Sequence, residues 1–161
     1  MAVDYFLKLD GIPGESADDK HKGEIDVESF SWGATQQGSS AFGGGAGAGK
    51  VSYQDFHFVM KLSKASPKLL DAVSTGKHIK QATVTVRKAG TKQQEFLTIK
   101  FFDLLVSSYQ TGGSGGGSEI PMEQISMNYA KMEMMYKEQK ADGSLGSATE
   151  AKYDLKANKA Y

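Results

Sequence analysis

The chain has 161 residues, with 19 Lys plus Arg against 19 Asp plus Glu and a formal net charge of zero. That length suits one domain over 1–161 with a core of its own. A neutral chain whose single arginine is Arg87 argues against nucleic-acid binding and against a polybasic membrane anchor, and the absence of cysteine excludes disulfides, thiolate metal sites and a cysteine nucleophile.

The N-terminal MAVDYFLKLDG is interrupted by Asp4, Lys8 and Asp10, so it lacks the apolar run of a cleaved secretory signal. Residues 4–10 form a strand candidate. Residues 11–23 are polar and read as a loop, with Asp18 and Asp19 in a solvated turn. Residues 24–36 form a second strand, placing Ile25 and Val27 on one parity and Phe30, Trp32 and Ala34 on the other. Residues 50–62 alternate again, with Phe56, Phe58, Met60 and Leu62 on one face.

One helix is expected, over about 66–76. Ser66 is placed as N-cap, Pro67 at the first helical position, Leu69, Leu70 and Val73 as the apolar stripe, and Gly76 at the left-handed C′ position. Strands follow over 79–88, 94–110 and 119–138, with turns at 89–92 and at Asp142-Gly143, and residues 151–158 close the set. The chain is therefore mainly β, without a parallel βαβ rhythm, which points to a small antiparallel β-barrel.

Two of the long strands change apolar parity midway. Ile125, Met127 and Tyr129 give way to Met132, Met134 and Tyr136, and residues 97–106 switch around Phe101 and Phe102. Such a change is absorbed by a β-bulge, or it gives both faces apolar partners, one of them a neighbouring subunit.

Eleven of the 19 glycines fall within 38–49 and 112–117. The segment Gly44 to Lys50 fits GxxxxGK, but Val51 stands where a phosphate loop needs Ser or Thr, and a strand follows instead of a helix. Gly112-Gly113-Ser114-Gly115-Gly116 fits GxSxG, but His21, His57 and His78 all lie upstream, and again a strand follows. The histidines show no metal-ligand spacing. No catalytic constellation, metal site or cofactor is expected, and the chain reads as a non-enzyme.

Taken in order, Gly14-Glu15-Ser16, His21-Lys22, Ile25-Asp26-Val27, Phe30-Ser31-Trp32-Gly33, Ser66-Pro67-Lys68-Leu69, Gly76-Lys77-His78, Leu105-Val106-Ser107-Ser108-Tyr109 and Gln139-Lys140-Ala141-Asp142-Gly143 resemble the Hcp family, the inner-tube proteins of bacterial type VI secretion systems. The resemblance spans essentially the whole chain. It implies a β-barrel of two antiparallel sheets with one short helix, a homohexameric ring, and rings stacked into a hollow tube inside a contractile sheath on a baseplate. A spike protein at the tip and effector proteins in the lumen are the implied partners. The implied route runs from the cytoplasm to the outside without a cleaved signal.

It also implies that an extended loop, here 38–52, meets the next ring. Phe42 is that loop's one large apolar residue and is placed as its packing anchor, with Gly43, Gly44, Gly45 and Lys50 beside it. Ser31, between Phe30 and Trp32, points away from the core and is placed on the lumen wall. A monomeric ligand-binding β-barrel, or the tube protein of a related phage-like contractile injection particle, are the alternatives.

Overall fold

The computed structural model describes residues 2–36, 50–89, 92–117 and 119–161. Phe42, Gly43, Gly44 and Gly45 lie outside the described residues, as does most of the loop 38–52. The chain order is β1 (Val3–Leu9), β2 (Ile25–Val27), β3 (Ser29–Ser31), β4 (Ala34–Gln36), β5 (Val51–Tyr53), β6 (Phe56–Lys61), α1 (Ala65–Thr75), β7 (Ile79–Lys88), β8 (Glu95–Thr111), β9 (Met122–Gln139), β10 (Leu145–Asp154) and β11 (Lys159–Ala160). Every strand pairing is antiparallel.

Nine strands are hydrogen-bonded together: the order β11-β10-β9-β8-β7-β1-β2 forms the large sheet, and β6, paired with both β3 and β9, branches from it as a second layer, the second sheet, while β4 and β5 pair apart as a two-stranded ribbon. β8 and β9 belong to both sheets. β10 takes the edge of β9 from Lys131 to Gln139, and β6 takes the same edge from Met122 to Met127. The barrel closes where the chain leaves β1 for β6, and there the Glu28 N–H donates to the Val59 carbonyl at 2.8 Å.

This change of partner is why the expected single strand over 24–36 is three short ones. β2 pairs with β1, β3 with β6 and β4 with β5, so the chain must turn at Glu28 and again at Trp32-Gly33. The expected strand over 50–62 divides in the same way, at Gln54-Asp55. Leu62 falls beyond β6 and is 46% exposed, although its parity had placed it with the fully buried Phe56, Phe58 and Met60.

Between the sheets lie Leu7, Phe56, Phe58, Val84, Ile99, Phe101, Leu104, Ile125 and Met127, all essentially without solvent contact. Burying each such side chain contributes roughly 1.5–3 kcal/mol. α1 packs on β8 through Leu69 and Ala72.

The helix differs from expectation at its start. Ala65 is the first helical residue, and the Ser63 hydroxyl, rather than Ser66, accepts the Ala65 N–H at 3.2 Å. Ser66 is turned inward and donates to buried Glu123, which also accepts the Tyr109 hydroxyl. Burial first, and the bond to Glu123 second, push the Tyr109 hydroxyl above its ordinary pKa. At the other end Gly76 takes φ 64°, the left-handed cap that its sequence position required.

The parity change is resolved within the chain. β8 buries Ile99 and Phe101, then Leu104 and Val106; β9 buries Ile125, Met127 and Tyr129, then Met132. The exchange falls at Asp103, which adopts φ 51°, opposite Ala130. The two strands keep one register through it, from Leu97–Tyr136 to Val106–Met127. A β-bulge occurs only further along, between Val106 and Ser108.

The terminal elements differ in extent from the sequence reading. β10 runs from Leu145 to Asp154, and β11 covers only Lys159–Ala160. At the expected 89–92 turn, the Lys88 N–H donates to the Gln94 carbonyl at 3.0 Å.

Adjacent leucines of α1 test this packing. Leu69→Ala, at a fully buried site, is expected to cost about 2–5 kcal/mol of protomer stability in denaturant titration. Leu70→Ala, at a half-exposed site, should change it by about 0.5 kcal/mol or less.

Candidate functional site

Three surfaces carry unusual chemistry. The first is the outer face of the second sheet. Because Phe56, Phe58, Ile125 and Met127 point inward, the residues between them point out. Strand register then aligns Ser31 with His57, His57 with Ser126, and Ser126 with Ser108. The next row aligns Ser29, Val59, Gln124 and Gln110. The His57 Nδ1 lies 3.1 Å from the Ser126 hydroxyl. Hydroxyls, amides, one imidazole and the Val59 side chain thus cover two rows without a carboxylate, lysine or arginine. Ser31, exposed, sits at the β3 end of the first row.

The second surface is the root of the β4–β5 ribbon. The Trp32 indole N–H donates to the Tyr129 hydroxyl, which in turn donates to the Gln54 carbonyl at 2.8 Å. Trp32 meets Phe101 edge-on with ring centroids 5.3 Å apart, and Tyr53 lies 5.5 Å from Tyr153. Burial pushes the Tyr129 hydroxyl up to about 12. Lys50, exposed, immediately precedes β5.

The third surface was not read from the sequence. Asp19 is exposed, as expected of a solvated turn, but Asp18 is half-buried and the 14–24 loop as a whole is a folded flap over β1 and β7. It is closed by Gly14 N–H to Gly23 O at 2.8 Å and Gly23 N–H to Ser16 O at 2.9 Å. A Cβ at Gly14 would stand 2.5 Å from the Glu24 carbonyl oxygen, so only glycine fits.

Under the flap lies Arg87, 2% exposed. It donates to both Asp18 carboxylate oxygens at 2.9 and 2.6 Å and to Asp4 at 3.1 Å, with its guanidinium 4.8 Å from the Phe6 ring centre. His21 stacks on the same ring at 4.3 Å, its two nitrogens 2.9 Å from Glu24 and 2.7 Å from Glu95. The hydrogen bonds from Arg87 hold the Asp18 carboxyl well below the usual range. Asp26, beside them, is pushed up by burial and then by repulsion from Asp4, Glu28 and Asp18. The available signal was Arg87 itself, the one arginine, on the parity of β7 that also carries Gln81, Thr83 and Thr85.

The segments that fit catalytic motifs take other shapes. Val51 after Lys50 starts β5, and the residues after the 112–117 cluster lead into β9. Among the described residues no three His, Asp or Glu side chains are grouped to hold a metal ion.

Residues 6–136 match the family model described as "Type VI secretion system effector, Hcp". The chain belongs to the Hcp family. It is 48% identical to Protein hcp1 of Pseudomonas aeruginosa over 145 residues, 89% of each chain. Among solved structures, Hcp1 of Salmonella typhimurium superposes with a TM-score of 0.82 at 36% identity over the full length of both chains. A structure described as a type six secretion system protein gives 0.93 at 31% identity, covering 99% of this chain and 100% of that one. As an Hcp protein the chain is a tube subunit of a type VI secretion system, within a family of structural, secreted proteins. No helix among the described residues is long and apolar enough to cross a membrane.

Two neighbouring carboxylates, Asp18 of the flap and Asp26 of β2, should respond to pH with opposite signs. Asp26, raised in the fold, favours its protonated form, so its contribution is full at low pH and is lost as pH climbs through its folded value. Asp26→Asn is therefore expected to raise the thermal midpoint at pH 7 and to leave it unchanged near pH ~3, below the usual aspartate range. Asp18, lowered in the fold, contributes above that range and loses its contribution in acid. Asp18→Asn should lower the midpoint at pH 7, with the deficit shrinking as pH falls. Melts followed by circular dichroism at several pH values check both signs.

Proposed function

We propose that the chain assembles as a homohexameric ring, and that rings stack into the hollow tube that a contractile sheath on its baseplate drives out of the cell behind a spike protein. Effector proteins ride in the lumen, carried or protected by the ring. The chain is made in the cytoplasm and leaves through that apparatus, and the subunit catalyses no reaction. Family membership supports this assembly, because a cyclic ring needs two different patches on each protomer.

The observation that carries the lumen assignment is the pair of uncharged rows running from Ser31 across β3, β6, β9 and β8. A wall of hydroxyls and amides offers hydrogen bonds to varied cargo without fixing a strong charge preference. Ser31 is the residue proposed to contact cargo.

The ring-to-ring joint is proposed at the loop 38–52, with Phe42 as its apolar anchor, Gly43, Gly44 and Gly45 allowing close backbone approach, and Lys50 at its base. The aromatic cluster of Trp32, Tyr53 and Tyr129 gives that loop a fixed root.

Light scattering on the eluting protein should give about six times 17.3 kDa. A protomer mass at every concentration would overturn the ring. Phe42→Ala should leave ring mass intact and reduce tube length and secretion; unchanged tubes would remove Phe42 from the joint. Ser31→Gln should preserve rings and reduce co-purifying effector, whereas full retention of cargo would take Ser31 off the contact surface.

A further inference from the structure

Two charged side chains of the barrel hold the flap, and they stand side by side. Arg87 of β7 and Glu95 of β8 face each other across the strand ladder. Arg87 takes Asp18 of the flap through both carboxylate oxygens. Glu95 takes His21, whose Nε2 lies 2.7 Å from it. The first attachment is indifferent to ordinary pH. A guanidinium keeps its charge, and Asp18 stays ionised because Arg87 holds it well below the usual carboxylate range. The second attachment depends on a proton.

His21 is buried, and its other nitrogen, Nδ1, lies 2.9 Å from Glu24. Each of these two contacts needs a proton between nitrogen and oxygen. An ionised carboxylate only accepts, and a neutral imidazole has a single N–H. A neutral ring between two carboxylates would therefore aim a lone pair at one of them. The arrangement as built holds one proton more, either on the ring or on the carboxylate it touches.

The surroundings favour that proton. Glu24 and Asp18 approach His21 from its own loop and Glu95 from β8, while Asp4 of β1 lies next to them on Arg87. The cation in this cluster is Arg87 of β7, with its guanidinium 4.8 Å from the centre of the Phe6 ring on which His21 stacks. Lys20 and Lys22 flank His21 in sequence and are exposed.

The two contacts of His21 are not equally easy to lose. Glu24 is three residues away in the same loop, whose neck is tied by the bonds of Gly14 and Gly23. Glu95 belongs to the barrel, and its side chain is 44% exposed, so it can turn into water. Loss of the shared proton thus releases the bond that joins the flap to β8 and spares the bond within the flap. The buried Phe6 ring beneath His21 is then uncovered.

We infer that His21 is a proton-operated latch, which clamps the flap onto Glu95 when the shared proton is present and lets it lift, still tethered by the Arg87–Asp18 pair, when the proton leaves. The closed flap binds that proton and the open flap does not. Mild acid therefore closes the flap, and rising pH opens it.

Amide hydrogen exchange over residues 16–24 of the full chain reads the latch, with each rate divided by the rate of an unstructured chain at the same pH. Between pH ~5.5 and pH ~8.5, on either side of the ordinary histidine range, protection of the flap is expected to fall about tenfold or more while that of β7 and β9 holds. Light scattering at both pH values checks that the assembled mass is the same.

Two conservative variants decide the matter. In E95Q the new amide donates to the bare ring nitrogen, so the flap should stay protected at both pH values, within about twofold. E24Q should flatten the response in the same way, because the neutral ring then accepts from the amide on that side and keeps its N–H for Glu95. Circular dichroism establishes that each variant is folded. Flap protection that is level across this range in the wild type overturns the latch. So does either variant that keeps the wild-type response, since the proton would then be held elsewhere.

Discussion

Both sheets of this barrel depend on the pairing of β8 with β9. Each strand is long enough to serve one sheet with its first half and the other sheet with its second. The register between them holds from Leu97 to Val106 while the inward-facing side chains change parity on both strands at once. Asp103 makes this possible by entering the left-handed region at φ 51°, a conformation that aspartate tolerates better than most residues. Opposite it, the Ala130 carbonyl is taken by the Leu155 N–H at 2.8 Å. The kink therefore also fixes where the chain goes after β10.

How legible the fold was depended on whether a local rule had a rival. Phe56, Phe58 and Met60, or Ala82, Val84 and Val86, alternate along strands whose partners do not change, and their burial could be read directly. Gly76 was legible because one backbone conformation was wanted there. The 24–36 segment was not, since the parity switch between Val27 and Phe30 was read within one strand, whereas the partner changes from β1 to β6 to β5. Ser66 looked like a cap by its place before Pro67, but a buried carboxylate 57 residues away claimed its hydroxyl. The parity change itself was visible. Its cause was not, because only the register distinguishes a shared kink from a bulge or a subunit contact.

The candidate surfaces were unevenly legible for the same reason. Ser31 could be placed outward from its two apolar neighbours alone. Its companions His57, Ser126 and Ser108 come from three other strands, and their alignment exists only once the sheet is formed. The flap was harder still. Asp18 and Asp19 in a glycine-bearing stretch look like solvent-facing residues, and nothing local to them shows that Arg87 lies beneath. The two faces that result differ in kind: one presents neutral hydrogen-bonding groups in rows, the other concentrates negative charge at one end of the large sheet. In the ring proposed above, a passage on one side and neighbours on others call for that contrast, since cargo is held loosely and a neighbour in one orientation only.

Trp32 is the chain's single tryptophan, and it stands at the root of the β4–β5 ribbon with its indole N–H on the Tyr129 hydroxyl and its ring against Phe101. Intrinsic fluorescence from this protein therefore comes from one place. A movement of the ribbon has to pass through that hydrogen bond and that edge-on contact before it reaches the barrel. The molecule carries its own optical gauge at the root of that ribbon, and its emission reports the state of the root without any added label.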